Sequence, residues 1–332
     1  MMERRGLGCT KLAVSRMGLG LAALGRPGYM NLGHARDMAG GTSVEAMEAR
    51  AHRVMDAAWA AGVRYFDAAR SYGRAEAFLA SWMAARGIAP DEVVIGSKWG
   101  YTYTAGWRVD ADVHEVKEHS PSVLARQSAE SRAILGPHLH LYQIHSATRE
   151  SGVLENREVI EGLGRLKAEG IRVGLSVTGA AQAETLRRAM EVEWDGERLF
   201  DAVQATWNVL EPSAGPALAE AHAAGMGVAV KEALANGRLT GRNDDPAFAP
   251  IVGLLRGEAS RLGTSPDALA IAAVLAQPWA DVVLSGAASE DQLASNLRAL
   301  DVRFDEEAAD RLRALAQDAG EYWSERSRLP WN

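Results

Sequence analysis

The residues best suited to acid–base chemistry in this chain lie at the ends of short apolar runs and in the turn that follows one of them. The segment from Tyr65 to Gly73 reads Y-F-D-A-A-R-S-Y-G, so Asp67 ends an apolar run and Tyr72 lies in the turn that follows. A phenol has an unperturbed pKa near ~10, and it needs a neighbouring charge before it can exchange protons readily at neutral pH. A site built on Tyr72 therefore requires charged partners from elsewhere in the chain.

Two further apolar runs end on candidate partners. Lys98 ends V-V-I-G-S-K, and His145 ends L-Y-Q-I-H. Each residue also has an ordinary explanation, since a strand-end acid can cap a helix, a loop tyrosine can pack, a lysine can be solvated and a histidine can be structural. Together they supply a lysine to lower the pKa of the phenol, an acid to hold that lysine and an imidazole to orient a carbonyl or alcohol oxygen. The combination predicts a general acid–base centre.

The elements that must position these residues alternate regularly along the chain. We predict strands at residues 16–21, 63–67, 93–98, 139–145, 171–177, 202–206, 227–231 and 282–284. We predict a first helix capped by Thr42 or Ser43 and ending near residue 61, and further helices at 74–86, 120–135, 158–169, 182–192, 214–224, about 249–276, 290–299 and 305–319.

Eight strand–helix units follow one another without a linker or a change in composition. Apolar strands that alternate with amphipathic helices indicate a parallel sheet covered by helices. The number eight favours a closed (β/α)8 TIM barrel over an open doubly wound sheet. We predict one domain over residues 1–332, with a short N-terminal hairpin within residues 1–15 and extra C-terminal helices. In such a barrel the four candidate residues meet at the carboxyl ends of the strands.

Composition narrows the functional classes. The formal net charge of the 332 residues is −7 and no long basic run is present, which argues against nucleic acid or an anionic membrane as a partner. Cys9 is the only cysteine, so an internal disulfide is excluded and a reducing compartment is expected. The N-terminus is too polar for a signal peptide and no apolar run is long enough to span a bilayer. We expect a cytoplasmic protein, and nothing in the pattern specifies its oligomeric state.

The segments F-D-A-A-R-S-Y-G, K-W-G and L-Y-Q-I-H resemble the motifs of the aldo-keto reductase superfamily, and the resemblance covers nearly the whole chain. It implies a catalytic tetrad of Asp67, Tyr72, Lys98 and His145. No metal is expected, because the H-x-H pair of His138 and His140 lies before or at the start of a strand, at the wrong end of a barrel, and has no Cys or acidic partners at ligand spacing. The resemblance also implies a nicotinamide cofactor, NADP or NAD, held across the barrel mouth without a Rossmann domain. This agrees with the lack of a strand-linked G-x-G-x-x-G.

The cofactor positions of the family match unevenly. The resemblance implies carboxamide contacts from Ser176 and Gln204, although Val177 stands where the family commonly has Asn. Trp207 lies near the family's aromatic that stacks on the nicotinamide, and a core position is the alternative. Segments 234–241 and 285–296 resemble those that bind the pyrophosphate and the adenosine, and the residues implied there are Leu234, Gly237, Arg238, Gly286, Gln292 and Asn296.

One departure concerns the choice of cofactor. Many relatives place Lys or Arg where this chain has Ala288, to bind the 2′-phosphate of NADP, and Glu290 and Asp291 follow closely. A phosphate needs a cationic partner, so this segment favours NAD or weak discrimination, with Arg238 and Arg242 as the cations that another loop could offer. NADP remains the family's usual cofactor.

The resemblance implies an oxidoreductase that interconverts a carbonyl, in an aldehyde or ketone, and an alcohol in a small molecule. Two alternatives remain: an NAD-preferring sugar or alcohol dehydrogenase, and a cofactor-binding regulatory subunit of the channel-β type. Trp99, Tyr101, Tyr103 and Trp107 begin the long connection after the third strand. These aromatic side chains either wall a substrate pocket or pack the connection onto the barrel.

Overall fold

The computed structural model, which describes residues 2–332, is built around a closed barrel of eight parallel strands. An antiparallel hairpin of β1 (Arg4–Gly6) and β2 (Ala13–Ser15) precedes it. The barrel strands are β3 (Met17–Gly20), β4 (Tyr65–Asp67), β5 (Val94–Trp99), β8 (Leu139–Ala147), β9 (Arg172–Val177), β12 (Ala202–Thr206), β13 (Gly227–Lys231) and β14 (Val282–Ser285). The predicted barrel and its N-terminal hairpin are confirmed.

Two short hairpins interrupt the strand–helix alternation, and the sequence analysis did not predict either. β6 (Tyr101–Tyr103) pairs with β7 (Glu115–Lys117), and β10 (Glu193–Trp194) pairs with β11 (Glu197–Arg198). The first hairpin lies within the long connection after β5, so part of that connection is ordered by backbone pairing.

Helices cover the barrel and extend beyond it. They are α1 (His34–Asp37), α2 (Val44–Ala60), α3 (Ala75–Arg86), α4 (Pro121–Leu135), α5 (Arg157–Ala168), α6 (Gln182–Met190), α7 (Gly215–Ala223), α8 (Ala249–Arg261), α9 (Pro266–Leu275), α10 (Glu290–Leu297), α11 (Glu306–Arg313) and α12 (Ala319–Ser327). Among residues 2–332, none is both long and apolar enough to cross a membrane.

Local sequence explains most of the helix boundaries. The side chains of Ser43, Ser120 and Ser289 each accept a hydrogen bond from a backbone N–H in the first turn of the following helix. The helices predicted over about 249–276 are α8 and α9, which are separate because Gly263 adopts φ 66° and Pro266 starts a new helix. The helix predicted at 305–319 is shorter in the structure: α11 ends at Arg313, and α12 begins at Ala319.

The apolar core has an inner and an outer part. Inside the barrel, Leu7 and Val14 of the N-terminal hairpin pack with Tyr65, Val94 and other strand residues. This cluster fills the amino end of the barrel. A larger layer packs the outer faces of the strands against the helices. The carboxyl ends of the strands are left as the open end of the barrel, where loops of variable length meet.

Candidate active site

A cavity of about 500 Å³ lies at the carboxyl ends of the barrel strands. This volume is within the roughly 300–1,000 Å³ typical of sites for small molecules and cofactors. Gly20, Asp67, His145, Gln204 and Lys231, from five different strands, line the cavity. The strand order therefore brings residues that are far apart in the chain to one surface.

Asp67 and Lys98 form a buried ion pair beneath this surface. The Lys98 ammonium donates hydrogen bonds to Asp67 Oδ1 and, at 3.0 Å, to the Ala68 carbonyl oxygen. Gln204 Nε2 donates to Asp67 Oδ2 at 2.9 Å, so both carboxylate oxygens are satisfied. Because both charges are fixed and shielded from water, they act strongly on the ionisation of neighbouring side chains.

Tyr72 lies next to this pair and lines the cavity. Lys98 Nζ is 5.0 Å from the centroid of its ring, and the His145 ring meets it edge-on with centroids 5.4 Å apart. Burial raises the pKa of Tyr72 well above its usual range, and the charge of Asp67 raises it further. The phenol is therefore protonated at neutral pH in this structure, as a proton donor must be. From the sequence, Lys98 is expected to lower this pKa; in the structure Lys98 is paired with Asp67, whose charge raises it.

His145 is the fourth residue of the group, and it is nearly buried. Burial lowers the pKa of His145 well below its usual range, and the positive charge of Lys98 lowers it further. The ring is therefore neutral and has one N–H to donate. Ser71 Oγ lies 3.5 Å from its Nδ1, which leaves Nε2 for a group in the cavity.

Arg26 is a site residue that the sequence analysis missed. It is 3% exposed, and its Nη1 donates to the Ser71 carbonyl oxygen at 2.9 Å and to Glu115 Oε2 at 2.7 Å. Its guanidinium carbon is 5.4 Å from the centroid of the Tyr72 ring and lowers the pKa of that phenol. Arg26 lies in a Gly-rich connection with no periodic pattern, so its sequence context carries no signal for this position.

A second group of missed residues lies where β13 ends. Lys231, Glu232 and Arg326 line the cavity, and Arg326 forms an ion pair with Glu232. Burial lowers the pKa of Lys231 to about 8, while the pKa of Glu232 is lowered to about 2 by Arg326 and Lys231 against the effect of burial. A lysine that ends an apolar run was the available signal, because Lys98 was identified by the same criterion.

The predicted cofactor residues divide into two sets. The residues of the first set line the cavity, and they are Gln204, Leu234, Gly237, Gly286, Gln292 and Asn296. Asn296 Nδ2 donates to Ser285 Oγ at 2.9 Å, and Gln292 Oε1 accepts from the Ala288 N–H at 2.8 Å. These two contacts order the segment predicted to hold the adenosine.

Ser176, Trp207 and Arg238 form the second set and do not line this cavity. Ser176 Oγ accepts a hydrogen bond from the Ser146 N–H at 2.7 Å beneath the surface. Trp207 packs in the outer core, edge-on to Trp279 with ring centroids 5.7 Å apart.

Arg238 is turned away from the cavity by its own contacts. Its Nη1 donates to Glu325 at 3.1 Å, and its guanidinium carbon lies 4.4 Å from the centroid of the Tyr322 ring. Only 3% of the residue is exposed. Arg238 therefore ties the loop after β13 to the C-terminal helix, in place of the predicted phosphate contact.

Acidic side chains line the cavity beside the segment 285–296, and we call this part of the cavity its far end. Asp267 and Asp291 are both lining residues, and Ser295 Oγ donates to Asp267 Oδ2 at 2.6 Å. Ala288, where a basic residue was sought in the sequence, is 2% exposed and packs in the outer core. The side chain at position 288 therefore points away from any ligand in the cavity.

Two loops meet over the cavity. The Leu32 N–H donates to the Asn236 carbonyl oxygen at 3.0 Å, and Arg242 pairs with Asp37. Asn236 Oδ1 is buried and has no hydrogen-bond partner within the described part of the chain. At Gly286 the space where a Cβ would point is open. An orphaned acceptor, a glycine with free space and lining amides all fit an extended dinucleotide with many polar edges. Among residues 2–332, no group of three or more His, Cys, Asp or Glu side chains is arranged to hold a metal ion.

Comparisons with known proteins agree with this geometry. The model of the Aldo/keto reductase family matches residues 16–317. Aldo-keto reductase str7 from Strobilurus tenacellus is 24% identical over 323 residues, which are 91% of this chain and 88% of that protein. Pyridoxal 4-dehydrogenase from Microbacterium luteolum is 29% identical over 168 residues, and this match covers only 44% of each protein.

Solved structures share the fold. The holo form of aldo-keto reductase AKR11C1 from Bacillus halodurans superposes with a TM-score of 0.74 at 23% identity, over 96% of this chain and 98% of that one. An aldo-keto reductase structure from Pseudomonas aeruginosa gives a TM-score of 0.62 at 26% identity, over 93% of this chain and 95% of that one.

Proposed function

This chain belongs to the aldo/keto reductase family and is an oxidoreductase, and we propose that it interconverts a small carbonyl compound and its alcohol with Tyr72 as the general acid and base. Members of the family in general carry out NAD(P)-dependent carbonyl reduction. The observation that carries the proposal is the contact of Tyr72 with His145 directly above the Asp67–Lys98 pair. A donor, an orienting group and a buried charge pair thus meet on one surface of the cavity.

Each residue of the site has a proposed role in the reaction. The protonated phenol of Tyr72 gives its proton to the carbonyl oxygen, and Lys98 and Arg26 stabilise the phenolate that remains. Neutral His145 donates from Nε2 to the same oxygen and fixes its position. A reduced nicotinamide held by the lining residues would supply the hydride in this direction, and its oxidised form would accept the hydride in the reverse reaction. In oxidation, Tyr72 as phenolate accepts the proton of the alcohol.

Gln204, Leu234, Gly237, Gly286, Gln292 and Asn296 are the lining residues that we propose hold the dinucleotide. The pair of acids Asp267 and Asp291 favours NAD over NADP, because a 2′-phosphate carries close to two negative charges and would lie near them. The same observation supports the second candidate function, an NAD-preferring sugar or alcohol dehydrogenase. We also propose a cytoplasmic location, since the single cysteine, Cys9, is free and exposed, and cell fractionation tests it.

The decisive assay follows oxidation of NADH and NADPH by absorbance with a panel of aldehydes and ketones, beside a fluorescence titration of both cofactors. We expect turnover that Tyr72→Phe removes almost entirely. Cofactor binding without turnover of any carbonyl, and without oxidation of any alcohol, would instead identify a binding subunit.

A further inference from the structure

Within the residues that the structure describes, one cation of the cavity has no carboxylate partner. Four cationic side chains line the cavity: Arg26, Lys231, Arg242 and Arg326. Each arginine forms an ion pair, with Glu115, Asp37 and Glu232 respectively. Among residues 2–332, Lys231 has no carboxylate oxygen within the 4.0 Å of an ion pair. Lys231 therefore differs in kind from the other three cations.

The neighbours of Lys231 are already occupied. The Glu232 carboxylate accepts hydrogen bonds from Arg326 Nε at 3.0 and 3.1 Å. Thr206 Oγ1 donates its only proton to Glu232 Oε2 at 3.2 Å and accepts from Lys231 Nζ at 2.7 Å. An ammonium carries three N–H donors. One of them is bound to Thr206, and Lys231 Nζ also lies 5.7 Å from the centroid of the Trp323 ring. At least one N–H therefore remains for a ligand in the cavity.

The position of Lys231 is close to the reacting groups. Lys231 ends β13 and pairs with Thr206 of the neighbouring strand β12. Gln204 precedes Thr206 by two residues in β12, and its amide donates to Asp67. The charge of Lys231 also contributes to lowering the pKa of His145. Burial lowers the pKa of Lys231 itself to about 8, which records the cost of burying this cation even with the charge of Glu232 nearby. An anionic oxygen from a ligand would remove that cost.

From this arrangement, and resting on the proposed function, we propose that Lys231 is a specificity-determining residue that binds an anionic oxygen of the substrate. The preferred carbonyl compound then carries a carboxylate, a phosphate or an ionised phenol close to its carbonyl group. A charge-assisted hydrogen bond in a partly buried cavity supplies the discrimination against neutral analogues.

The test compares matched carbonyl pairs with wild type, Lys231→Met and Lys231→Arg. The pairs are 4-carboxybenzaldehyde and benzaldehyde, succinic semialdehyde and butanal, glyceraldehyde 3-phosphate and glyceraldehyde, and 2-hydroxy-5-nitrobenzaldehyde, whose phenol is ionised at neutral pH, and 3-nitrobenzaldehyde. We expect wild type to favour the anionic member of at least one pair by about tenfold in kcat/KM. Lys231→Met removes that preference and leaves the neutral member within about threefold, whereas Lys231→Arg retains part of it. The identity of the favoured pair distinguishes carboxylate, phosphate and phenolate.

Two controls separate this inference from its rivals. Lys11→Met removes an exposed lysine in the N-terminal hairpin, at the opposite end of the barrel, and should change nothing. In wild type the KM of the favoured anionic substrate rises above about pH 8, where Lys231 loses its proton, and in Lys231→Met this rise is absent. Equal losses for charged and neutral substrates, or a loss confined to NADH affinity, would overturn the assignment.

A binding measurement keeps the inference testable if no carbonyl is turned over. The dead-end complex of protein, NADH and 4-(hydroxymethyl)benzoate is measured by calorimetry with benzyl alcohol as the neutral partner. Tighter binding of the carboxylate that depends on Lys231 supports the inference even when the proposed function fails. Equal binding of both alcohols together with active turnover refutes the inference and leaves the function intact.

Discussion

Arg242 donates from Nη1 to both carboxylate oxygens of Asp37, at 2.8 and 3.0 Å, although 205 residues separate the two. Asp37 ends α1 in the connection that follows β3, and Arg242 belongs to the loop that follows β13. The hydrogen bond from the Leu32 N–H to the Asn236 carbonyl oxygen joins the same two loops. All four residues line the cavity, so the two contacts form a bridge between two segments of its wall.

If a dinucleotide lies beneath this bridge, opening the bridge must precede its release. Arg242→Ala should therefore raise the dissociation rate of NADH by up to about fivefold, since a partly exposed ion pair contributes roughly 0.2–1 kcal/mol. Stopped-flow protein fluorescence measures that rate. Arg187→Ala, which breaks an exposed pair with Glu220 on the outer helices, serves as the matched control. Equal dissociation rates in the two variants would show that the bridge does not gate release.

Removal of the Tyr72 hydroxyl tests the proton donor. Tyr72→Phe should reduce turnover by roughly 10²–10⁴-fold, the range for loss of general acid–base catalysis, and leave cofactor affinity nearly unchanged. Tyr103→Phe is the control, because the Tyr103 hydroxyl accepts from the Trp107 N–H at 3.1 Å in the hairpin region. Steady-state kinetics with a titration of NADH separates the two effects. Turnover of Tyr72→Phe within a few-fold of wild type would exclude Tyr72 as the donor.

Arg26 should set the pH dependence of alcohol oxidation. The reaction needs Tyr72 as phenolate, so the rate rises with pH through the pKa of Tyr72. Arg26 lowers that pKa, and Arg26→Met should therefore shift the basic limb to higher pH, while Arg26→Lys should largely restore it.

Lys98→Met should shift the same limb in the same direction, since it removes the cation 5.0 Å from the ring. A pH–rate profile of kcat/KM, with circular dichroism to confirm folding, provides the measurement. A limb that stays in place in folded, active Arg26→Met would show that the guanidinium does not act on the phenol.

Cofactor choice should depend on the acids at the far end of the cavity. Wild type should bind NADH at least as tightly as NADPH, because Asp267 and Asp291 lie where a cation would be needed. Asp291→Arg should strengthen NADPH binding by about tenfold or more, as a hydrogen bond to a charged group contributes roughly 1.5–3 kcal/mol. Asp291→Asn should give an intermediate result, and fluorescence titration measures all three proteins. A hundredfold preference of wild type for NADPH would contradict this account.

The structure favours Asp291 over Ala288 as the position for the new arginine. From the sequence, position 288 is the natural place for a new arginine, but its side chain is buried in the outer core. An arginine there would overpack the core and bury a charge. Asp291 is exposed and lines the cavity, so it accepts the change without that cost.

The sequence by itself determined the barrel and the positions of the proposed tetrad. Strand and helix periodicities are local properties, and eight repeats of the same unit leave few ways to bury every apolar face. Asp67, Lys98 and His145 lie at or next to the ends of apolar runs, and the ends of parallel strands meet at one face of a barrel. Closure of the sheet into a barrel brings these residues together, and the alternation of strands and helices already implies that closure.

The tertiary structure alone decided the long-range pairings. Arg26 reaches Tyr72 through a connection without periodicity, and Arg238 faces Glu325 in a helix 87 residues later. Within the part of the chain that the structure describes, Lys231 forms no ion pair, because Arg326, from the far end of the chain, holds Glu232. Charged side chains reach any partner that the fold brings within a few ångströms. Their pairing therefore depends on the positions of whole loops, which no local pattern encodes.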